Sequence, residues 1–376
     1  MIIILVSDRV EGDETVKRTI LGLLLILLAL LLFLRAGFLL HPAPAAPAAA
    51  TAALPEPTAE PSPEPAWEPT PEPSPAPTPE PTPRPLREVV LSDYRIDASF
   101  FEPAAERGSL LTDVAYTTPD YVYGAEGAFP KYMQVYLPYG YDRESRYDVL
   151  FLFPVMGNTE RFWLELPHAY SFPEGDAYVD AVCLLDNLIE RGFCRPMLVV
   201  SLNGYLDEEA QIRHRSEQTY PQMTREFAEV ILPYVAEHFA TWAEGGSREQ
   251  LREARGHFGV LGASFGAYMT ELSVLAPNLD LVSWYAMTGG GSVSREYLEP
   301  SWAGTGTAGL PVDMLYFAEG DGDDIGPVAE SYWALARWEE VFTAEENLRF
   351  TQILETGHSE TEWVTALYNT AQLFFR

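Results

Sequence analysis

The sequence predicts an α/β fold in which a mostly parallel central sheet carries helices on both faces. Short uninterrupted apolar runs, typical of strands buried on both faces, occur at 149–153 and 197–200. They alternate with stretches of helical spacing at 180–191 and 225–239, and this alternation indicates a parallel sheet covered by helices. A glycine-flanked serine directly after an apolar strand at 257–261 is the third observation.

The remaining elements follow the same rules. Period-2 alternation, or short apolar runs bounded by turn residues, predicts strands at 133–137, 281–287 and 312–318, and a final helix is expected at 362–375. The chain shows no internal repeat. The roughly 290 residues from Leu86 onward therefore fit one domain of the size common for α/β enzymes.

The N-terminal 40 residues have the pattern of a membrane segment. Residues 20–40 are apolar except for Arg35, and Lys17 and Arg18 precede them. A helix of about 20 apolar residues spans a bilayer, and basic residues before it keep the N-terminus in the cytoplasm. We therefore expect residues 1–40 to form a cytoplasmic stub and transmembrane anchor, or a signal peptide cleaved at small residues that follow. In both cases the C-terminal part is exported.

Residues 41–85 have the composition of a disordered linker. They hold 17 of the 31 prolines, mostly in Pro-Glu-Pro-Thr or Pro-Glu-Pro-Ser repeats. Such a segment cannot bury enough apolar surface to fold and prefers extended polyproline II. A spacer between the membrane and a folded domain at 86–376 is the expected role.

Charge excludes one class of partner. The 376 residues include 24 basic and 55 acidic side chains, a formal net charge of −31. From Leu86 onward the balance is 45 acidic to 19 basic, so the acidity belongs to the domain itself. Phosphate contacts need a basic face, so no nucleic-acid partner is expected.

The two cysteines indicate neither a disulfide scaffold nor a metal site. Cys183 and Cys194 lie 11 positions apart around a predicted helix end. Two free thiols are the simpler interpretation, although an exported domain permits a disulfide. Neither cysteine has the neighbours of a zinc ligand, so no metal and no cofactor are predicted.

The residues Gly-Ala-Ser-Phe-Gly at 262–266 carry the strongest chemical signal. An apolar strand runs into this G-x-S-x-G pattern and a helix-compatible stretch follows, which is the context of a nucleophile elbow. Gly262 and Gly266 lack the Cβ atoms that would crowd the turn. Ser264 is then the predicted nucleophile, and the N–H of Phe265 points at a developing oxyanion.

A serine nucleophile needs a base and an acid. Of the six histidines only His358 follows Ser264, in a glycine-containing loop before the final helix. The acid is expected on the loop after the strand at 312–318. That loop offers four carboxylates, and position alone does not choose among them: Glu319, Asp321, Asp323 and Asp324. A calcium loop would have a terminal bidentate Glu, which is missing here.

These residues resemble a family of α/β-hydrolases that includes feruloyl and acetyl-xylan esterases, S-formylglutathione hydrolase, enterochelin esterases and mycolyltransferases. The resemblance covers residues 108 to 376. It rests on four segments in order: Val-Tyr-Leu-Pro-Tyr-Gly-Tyr-Asp at 135–142, the strand at 149–153, the elbow at 262–266, and Gly357-His358 followed by Trp363. It implies an α/β-hydrolase fold.

The resemblance also selects among the carboxylates. In the family the acid loop usually ends in Gly-x-x-Asp, which matches Gly320-Asp321-Gly322-Asp323. Asp323 is therefore the predicted acid, with Asp321 and Asp324 as alternatives.

One departure from the family concerns the oxyanion hole. The family generally has His-Gly after the first buried strand, where this chain has Pro154 and Val155, although Gly157 is retained. Only a backbone N–H is needed, so Met156 is the expected second donor beside Phe265. A weak or inactive enzyme is the alternative.

Two tryptophans fall near the expected cleft. Trp163 follows the oxyanion loop and Trp363 follows His358. Flat rings there can stack on a sugar or an aromatic acyl group, and core packing is an equally good interpretation.

The resemblance implies an exported serine esterase that hydrolyses carboxylic esters, with feruloyl or acetyl groups on extracellular polysaccharide as the expected substrate. Two alternatives remain at this point. One is an acyltransferase of the mycolyl type, which uses the same serine but excludes water. The other is a non-catalytic cell-surface binding module that kept the fold.

Overall fold

A computed structural model of the protein describes residues 86–213 and 216–376. The membrane segment and linker expected at 1–40 and 41–85 lie outside these residues. Within the described part, no helix combines the length and apolar character that crossing a bilayer requires.

The described residues contain ten strands. They are β1 (Ser109–Thr118), β2 (Phe129–Leu137), β3 (Asp148–Phe153), β4 (His168–Phe172), β5 (Gly175–Val179), β6 (Met197–Ser201), β7 (Phe258–Ala263), β8 (Trp284–Thr288), β9 (Met314–Gly320) and β10 (Leu348–Ile353). Eight of them form one sheet in the order β1-β2-β6-β3-β7-β8-β9-β10. β1 and β2 pair antiparallel, and β2 is antiparallel to β6. From β6 to β10 every pair is parallel, which confirms the mostly parallel sheet.

Helices connect these strands. The α-helices of the described residues are Arg161–Leu164, Ala181–Glu190, Glu208–Arg213, Ser216–Glu226, Leu232–His238, Arg248–Glu253, Phe265–Met269, Arg295–Thr305, Ala329–Leu335 and Glu360–Leu373. Two π-helical turns, Phe227–Ile231 and Thr270–Leu275, continue the helices before them. The helix expected at 225–239 therefore begins earlier, at Ser216.

The central strands are buried on both faces. All six residues of β3 and all six of β7 are buried. Phe151 and Phe153 pack into one apolar cluster together with Phe227. Leu150 and Leu152, which point the other way, belong to a second cluster on the opposite face. Alternate residues of one strand thus require helices on both sides of the sheet.

The last helix, Glu360–Leu373, is buried along almost its whole length, polar residues included. Two of its amides hold the N-terminal segment of the domain. Ser92 N–H donates to Asn369 Oδ1 at 2.7 Å, and Val90 N–H donates to Gln372 Oε1 at 3.2 Å. These hydrogen bonds satisfy the buried side-chain amides. They also fix residues 90–92, which belong to no strand or helix, against the rest of the domain.

A buried ion pair joins β2 to the helix Ser216–Glu226. Lys131 Nζ lies 2.5 Å from Glu226 Oε1, and both side chains are almost fully excluded from solvent. Lys131 also donates to the carbonyl of Asn203, and the hydroxyl of Tyr116 donates to the same Glu226 oxygen. Removing one charge would leave the other buried without a partner of opposite charge. Because the interior has low polarity, this would destabilise the fold.

We expect Lys131→Met to lower the free energy of unfolding by about 3–5 kcal/mol, because it leaves Glu226 buried and unpaired. Urea unfolding of the full-length chain measures the change. The matched control, Arg213→Ala, breaks an exposed pair with Glu209 and should cost less than about 1 kcal/mol. Equal effects of the two substitutions would contradict the buried-pair argument.

Candidate active site

Five loops meet at the carboxyl edge of the parallel strands. Residues 154–157 follow β3, Ser264 follows β7, Gly289 follows β8, and Asp323 lies on the loop after β9. His358 follows β10, between that strand and the last helix. Neighbouring parallel strands end at the same edge of a sheet, so side chains far apart in sequence are brought together there.

Ser264 stands on a strained turn between β7 and the helix Phe265–Met269. Its backbone has φ 54° and ψ −117°, a conformation that a residue with a side chain rarely adopts. Its N–H donates to the carbonyl of Thr288 at 2.8 Å. A Cβ on Gly262 would overlap the backbone of Gly266, and one on Gly266 would overlap the carbonyl of Phe153. Both glycines are therefore needed for the close approach.

The structure brings Ser264, His358 and Asp323 into one hydrogen-bonded chain. Ser264 Oγ lies 2.8 Å from His358 Nε2, and His358 Nδ1 lies 2.9 Å from Asp323 Oδ2. With the proton on Nδ1, the ring donates to the carboxylate and accepts from the serine hydroxyl. The His358 side chain is 14% exposed and that of Asp323 is fully buried. The geometry is that of a nucleophile activated by an oriented base.

Asp323 keeps its negative charge despite its burial. Burial alone would raise the pKa of this carboxyl, but the hydrogen bond from His358 and two from the backbone outweigh it and lower the pKa. The N–H groups of Ile325 and Gly326 donate to Oδ1 at 2.8 and 2.9 Å. The loop is thus built to hold an ionised carboxylate facing the imidazole.

The other carboxylates of this loop have different surroundings. Glu319 accepts from the backbone N–H groups of Val328 and Ala329, at the start of a helix. Asp321 and Asp324 are exposed, and Asp321 accepts from the N–H of Thr356. Among the four carboxylates, Asp323 alone is hydrogen-bonded to His358.

The loop after β3 keeps a backbone donor near the elbow. The N–H of Gly157 donates to the hydroxyl of Tyr205 at 3.0 Å, and the carbonyl of Gly157 accepts from Gln211 at 2.8 Å. The hydrogen bonds within the described residues use the N–H of neither Met156 nor Phe265. Within that part of the chain, both predicted oxyanion donors are therefore left without an acceptor.

Tyr205 connects the loop after β3 to Phe265, the residue after Ser264, and the sequence did not predict this role. Its hydroxyl holds Gly157, and its ring stacks on that of Phe265 with a centroid distance of 5.6 Å and an interplanar angle of 11°. An isolated tyrosine after a buried strand carries no signal of this role. This role is visible only from the tertiary contact between Tyr205 and the loop after β3.

The stacking role expected for Trp163 and Trp363 is wrong. The side chain of Trp163 is fully buried, and its indole N–H donates to the carbonyl of Phe153. Trp363 is 8% exposed and packs edge-on against His358 and Phe162. Both rings belong to the core that supports the site because the helices carrying them, Arg161–Leu164 and Glu360–Leu373, turn these side chains inward, so neither offers a face to a ligand.

A buried acid, Glu362, lies behind His358 and was also not anticipated. Oxygen and nitrogen atoms of Asp323, His358 and Glu362 lie within 4.8 Å of one another. Such a set has metal-ligating chemistry, but the imidazole Nδ1 is already hydrogen-bonded to Asp323. The arrangement therefore fits the orientation of an imidazole better than the binding of an ion. Cys183 and Cys194 are free thiols away from this cluster.

The parallel sheet, the strained serine turn and the order of the loops define the α/β-hydrolase fold. The feruloyl esterase module from Clostridium thermocellum, solved as a mutant complexed with sinapinate, has the same fold. Its TM-score is 0.60 at 19% identity, with 77% of this chain and 95% of that chain covered. A CE1 ferulic acid esterase from Anaeromyces mucronatus has a TM-score of 0.54 at 17% identity, covering 76% and 98% of the two chains.

Similarity to a curated protein extends to the sequence as well. Endo-1,4-beta-xylanase Y from Acetivibrio thermocellus is 26% identical over 189 residues. The matched segment is 50% of this chain but only 15% of the xylanase. No protein-family model matches the chain. The solved esterases therefore establish the fold.

We expect Gly266→Ala to lower the free energy of unfolding by about 1–3 kcal/mol or more, because the added methyl overlaps the backbone at Phe153. The matched control is Gly304→Ala in the helix Arg295–Thr305, where nothing lies within 4 Å of an added Cβ. That substitution should stabilise the chain by about 0.5–1 kcal/mol. Urea unfolding of both variants is the measurement, and a neutral Gly266→Ala would refute the packing of the elbow.

Proposed function

We propose that the protein is a serine esterase of the feruloyl esterase type, with Ser264 as nucleophile, His358 as base and Asp323 as the acid that orients it. The chain of two hydrogen bonds from Ser264 Oγ through the imidazole to Asp323 carries the proposal. The fold shared with solved feruloyl esterases supports it.

The reaction follows from this geometry. Ser264 Oγ attacks the ester carbonyl carbon while its proton passes to His358 Nε2, and the imidazolium is stabilised by Asp323. The imidazolium then returns the proton to the departing alcohol. Water attacks the acyl-enzyme with the same base, releasing the acid and restoring Ser264.

The N–H groups of Met156 and Phe265 are proposed to hold the oxyanion. Neither has an acceptor among the described residues, and Phe265 begins a helix directly after the proposed nucleophile. One such donor contributes about 3 kcal/mol to transition-state stabilisation. Since a backbone N–H is sufficient, Pro154 and Val155 in place of the family's His-Gly are compatible with an active enzyme.

The proposed substrate is a feruloyl or acetyl ester on extracellular polysaccharide. Two of the similar structures are feruloyl esterases, and the relative with shared sequence is a xylanase. The proposal includes export, with residues 1–40 as anchor or signal peptide and 41–85 as spacer. The apolar run and the proline repeats of the sequence support this part.

Ser264→Ala tests the function. We expect the full-length chain to hydrolyse p-nitrophenyl acetate and methyl ferulate, and the variant to lose at least about 10³-fold in kcat/KM. A fluorophosphonate probe should label the wild type and not the variant. Ser301→Ala, a serine on the helix Arg295–Thr305, is the matched control and should retain full activity.

Other outcomes of these measurements would distinguish an esterase from a binding module or an acyltransferase. Equal hydrolysis by wild type and Ser264→Ala, with no labelling, would leave a binding module as the better description. Labelling of Ser264 with transfer of the acyl group to an added alcohol in preference to water would identify an acyltransferase. Release of ferulate from feruloylated arabinoxylan would support the polysaccharide substrate.

A second prediction concerns Tyr205. Tyr205→Phe keeps the ring stacked on Phe265 but removes the hydroxyl that accepts from Gly157. The loop carrying the Met156 N–H then loses one of the two hydrogen bonds described at Gly157, so kcat should fall about tenfold with little change in KM, the loss expected from one hydrogen bond. Tyr178→Phe, at an exposed tyrosine, is the control. An unchanged kcat would show that Tyr205 does not position the loop.

A further inference from the structure

Glu362 is a buried carboxyl group that the proposed mechanism does not use. It lies on the first turn of the helix Glu360–Leu373, four residues after His358, and has no exposed surface. Thr288 Oγ1 donates to its Oε1 at 2.6 Å. Its Oε2 has no hydrogen-bonding partner among the described residues. A buried polar atom in this condition needs an explanation.

The carboxyl group of Glu362 lies close to the imidazole of His358 and to the carboxylate of Asp323. Oxygen and nitrogen atoms of Glu362, Asp323 and His358 lie within 4.8 Å of one another. A Cβ on Gly289 would lie 3.0 Å from Glu362 Oε1 and 3.1 Å from His358 Nδ1, so this glycine, with φ +58°, leaves both groups room to meet. At these short distances, the protonation state of Glu362 affects the charges and hydrogen bonds of Asp323 and His358.

Among the described residues, no Lys or Arg compensates for the burial of Glu362. The titratable groups that face it are Asp323 and His358 from the loops and Tyr316 from β9. Burial, helped by the charge of Asp323, raises the pKa of Glu362 to about 9, although the hydrogen bond from Thr288 opposes the shift. The group is therefore a neutral acid at neutral pH.

The position of the acid proton follows from the contacts. Oε1 already accepts from Thr288, so the proton belongs on Oε2. A carboxyl oxygen of Glu362 and one of Asp323 lie within 4.8 Å of each other, and the charge of Asp323 helps to raise the pKa of Glu362. Asp323 is ionised and can only accept, so a hydrogen bond formed between the two groups has the neutral acid as its donor.

We propose that Glu362 is a positioning residue: as a neutral acid it donates a hydrogen bond to Asp323 and so fixes that carboxylate against His358 Nδ1. This role rests on the proposed esterase function. Glu362 touches no substrate and transfers no proton during turnover. Its effect is to hold Asp323 in the position from which Asp323 orients His358.

Two substitutions test the donor role. Glu362→Gln keeps an oxygen for Thr288 and an N–H₂ for Asp323, so kcat at pH 7 should stay within about twofold of wild type. Glu362→Leu removes the donor, and kcat should fall about tenfold with KM unchanged. The full-length chain and p-nitrophenyl acetate serve for both measurements.

The pH profile separates positioning from structural support. Above about pH 9, where Glu362 ionises, its donor is lost and its charge repels Asp323, so wild-type kcat should fall. Glu362→Gln, which cannot ionise, should lack this fall. A fluorophosphonate labelling rate followed over the same pH range reports on the activation of Ser264 without any ester substrate.

Stability gives a readout that is independent of activity. Because the pKa of Glu362 in the folded chain, about 9, exceeds its ordinary value of 4.5, its contribution to stability is complete below the ordinary value and is lost as pH rises to 9. Wild type should therefore lose stability relative to Glu362→Gln across this range. The control, Glu299→Gln at an exposed carboxylate, should show no such trend.

The outcomes are distinguishable. Absence of ester hydrolysis and of Ser264 labelling would overturn the proposed function, while the stability trend would still report on the neutral acid. A folded Glu362→Gln that is inactive at pH 7, or identical pH profiles for wild type, Glu362→Gln and Glu362→Leu, would overturn the positioning role. A stability difference that does not change with pH would refute the neutral acid.

Discussion

The site depends on a single topological constraint, the convergence of parallel strand ends at one edge of the sheet. The strands β7, β9 and β10 deliver Ser264, Asp323 and His358 to this edge although 94 residues separate the first from the last. Burial on both faces fixes β7 and β9 in place. Since a strand that slips by one residue would exchange its two faces, the core holds the site in register.

The turn that carries Ser264, the proposed nucleophile, has a crowded and strained backbone. Ser264 has a positive φ, and the backbone of residues 153 and 154 lies against Gly266. Such a conformation persists only where neighbouring structure over-determines it. The hydrogen bond from Ser264 to Thr288 and the dense core beneath supply that restraint. The strain holds the hydroxyl above the sheet, within reach of the imidazole.

The environment of Asp323 and that of Glu362 differ in kind although both carboxyls are buried. Asp323 receives two backbone N–H groups and an imidazole, which favour the ionised form. Glu362 receives one hydroxyl and faces the charge of Asp323, which favours the neutral form. Two neighbouring acids thus have pKa values shifted in opposite directions: hydrogen bonds lower the pKa of Asp323, whereas burial and the charge of Asp323 raise the pKa of Glu362.

The sequence alone was enough for the α/β class, the strand-turn-helix at Ser264 and the choice of His358, because these depend on local patterns and chain order. Asp323 needed a resemblance, since four carboxylates share one loop. Strand β1, the hairpin β4–β5 and the strand β10 were missed because their residues are exposed or lack a sharp apolar run. The burial of Trp163 and the roles argued for Tyr205 and Glu362 came only from the tertiary structure. Their environment is built by residues distant in the chain, and no local pattern encodes which side chains will meet.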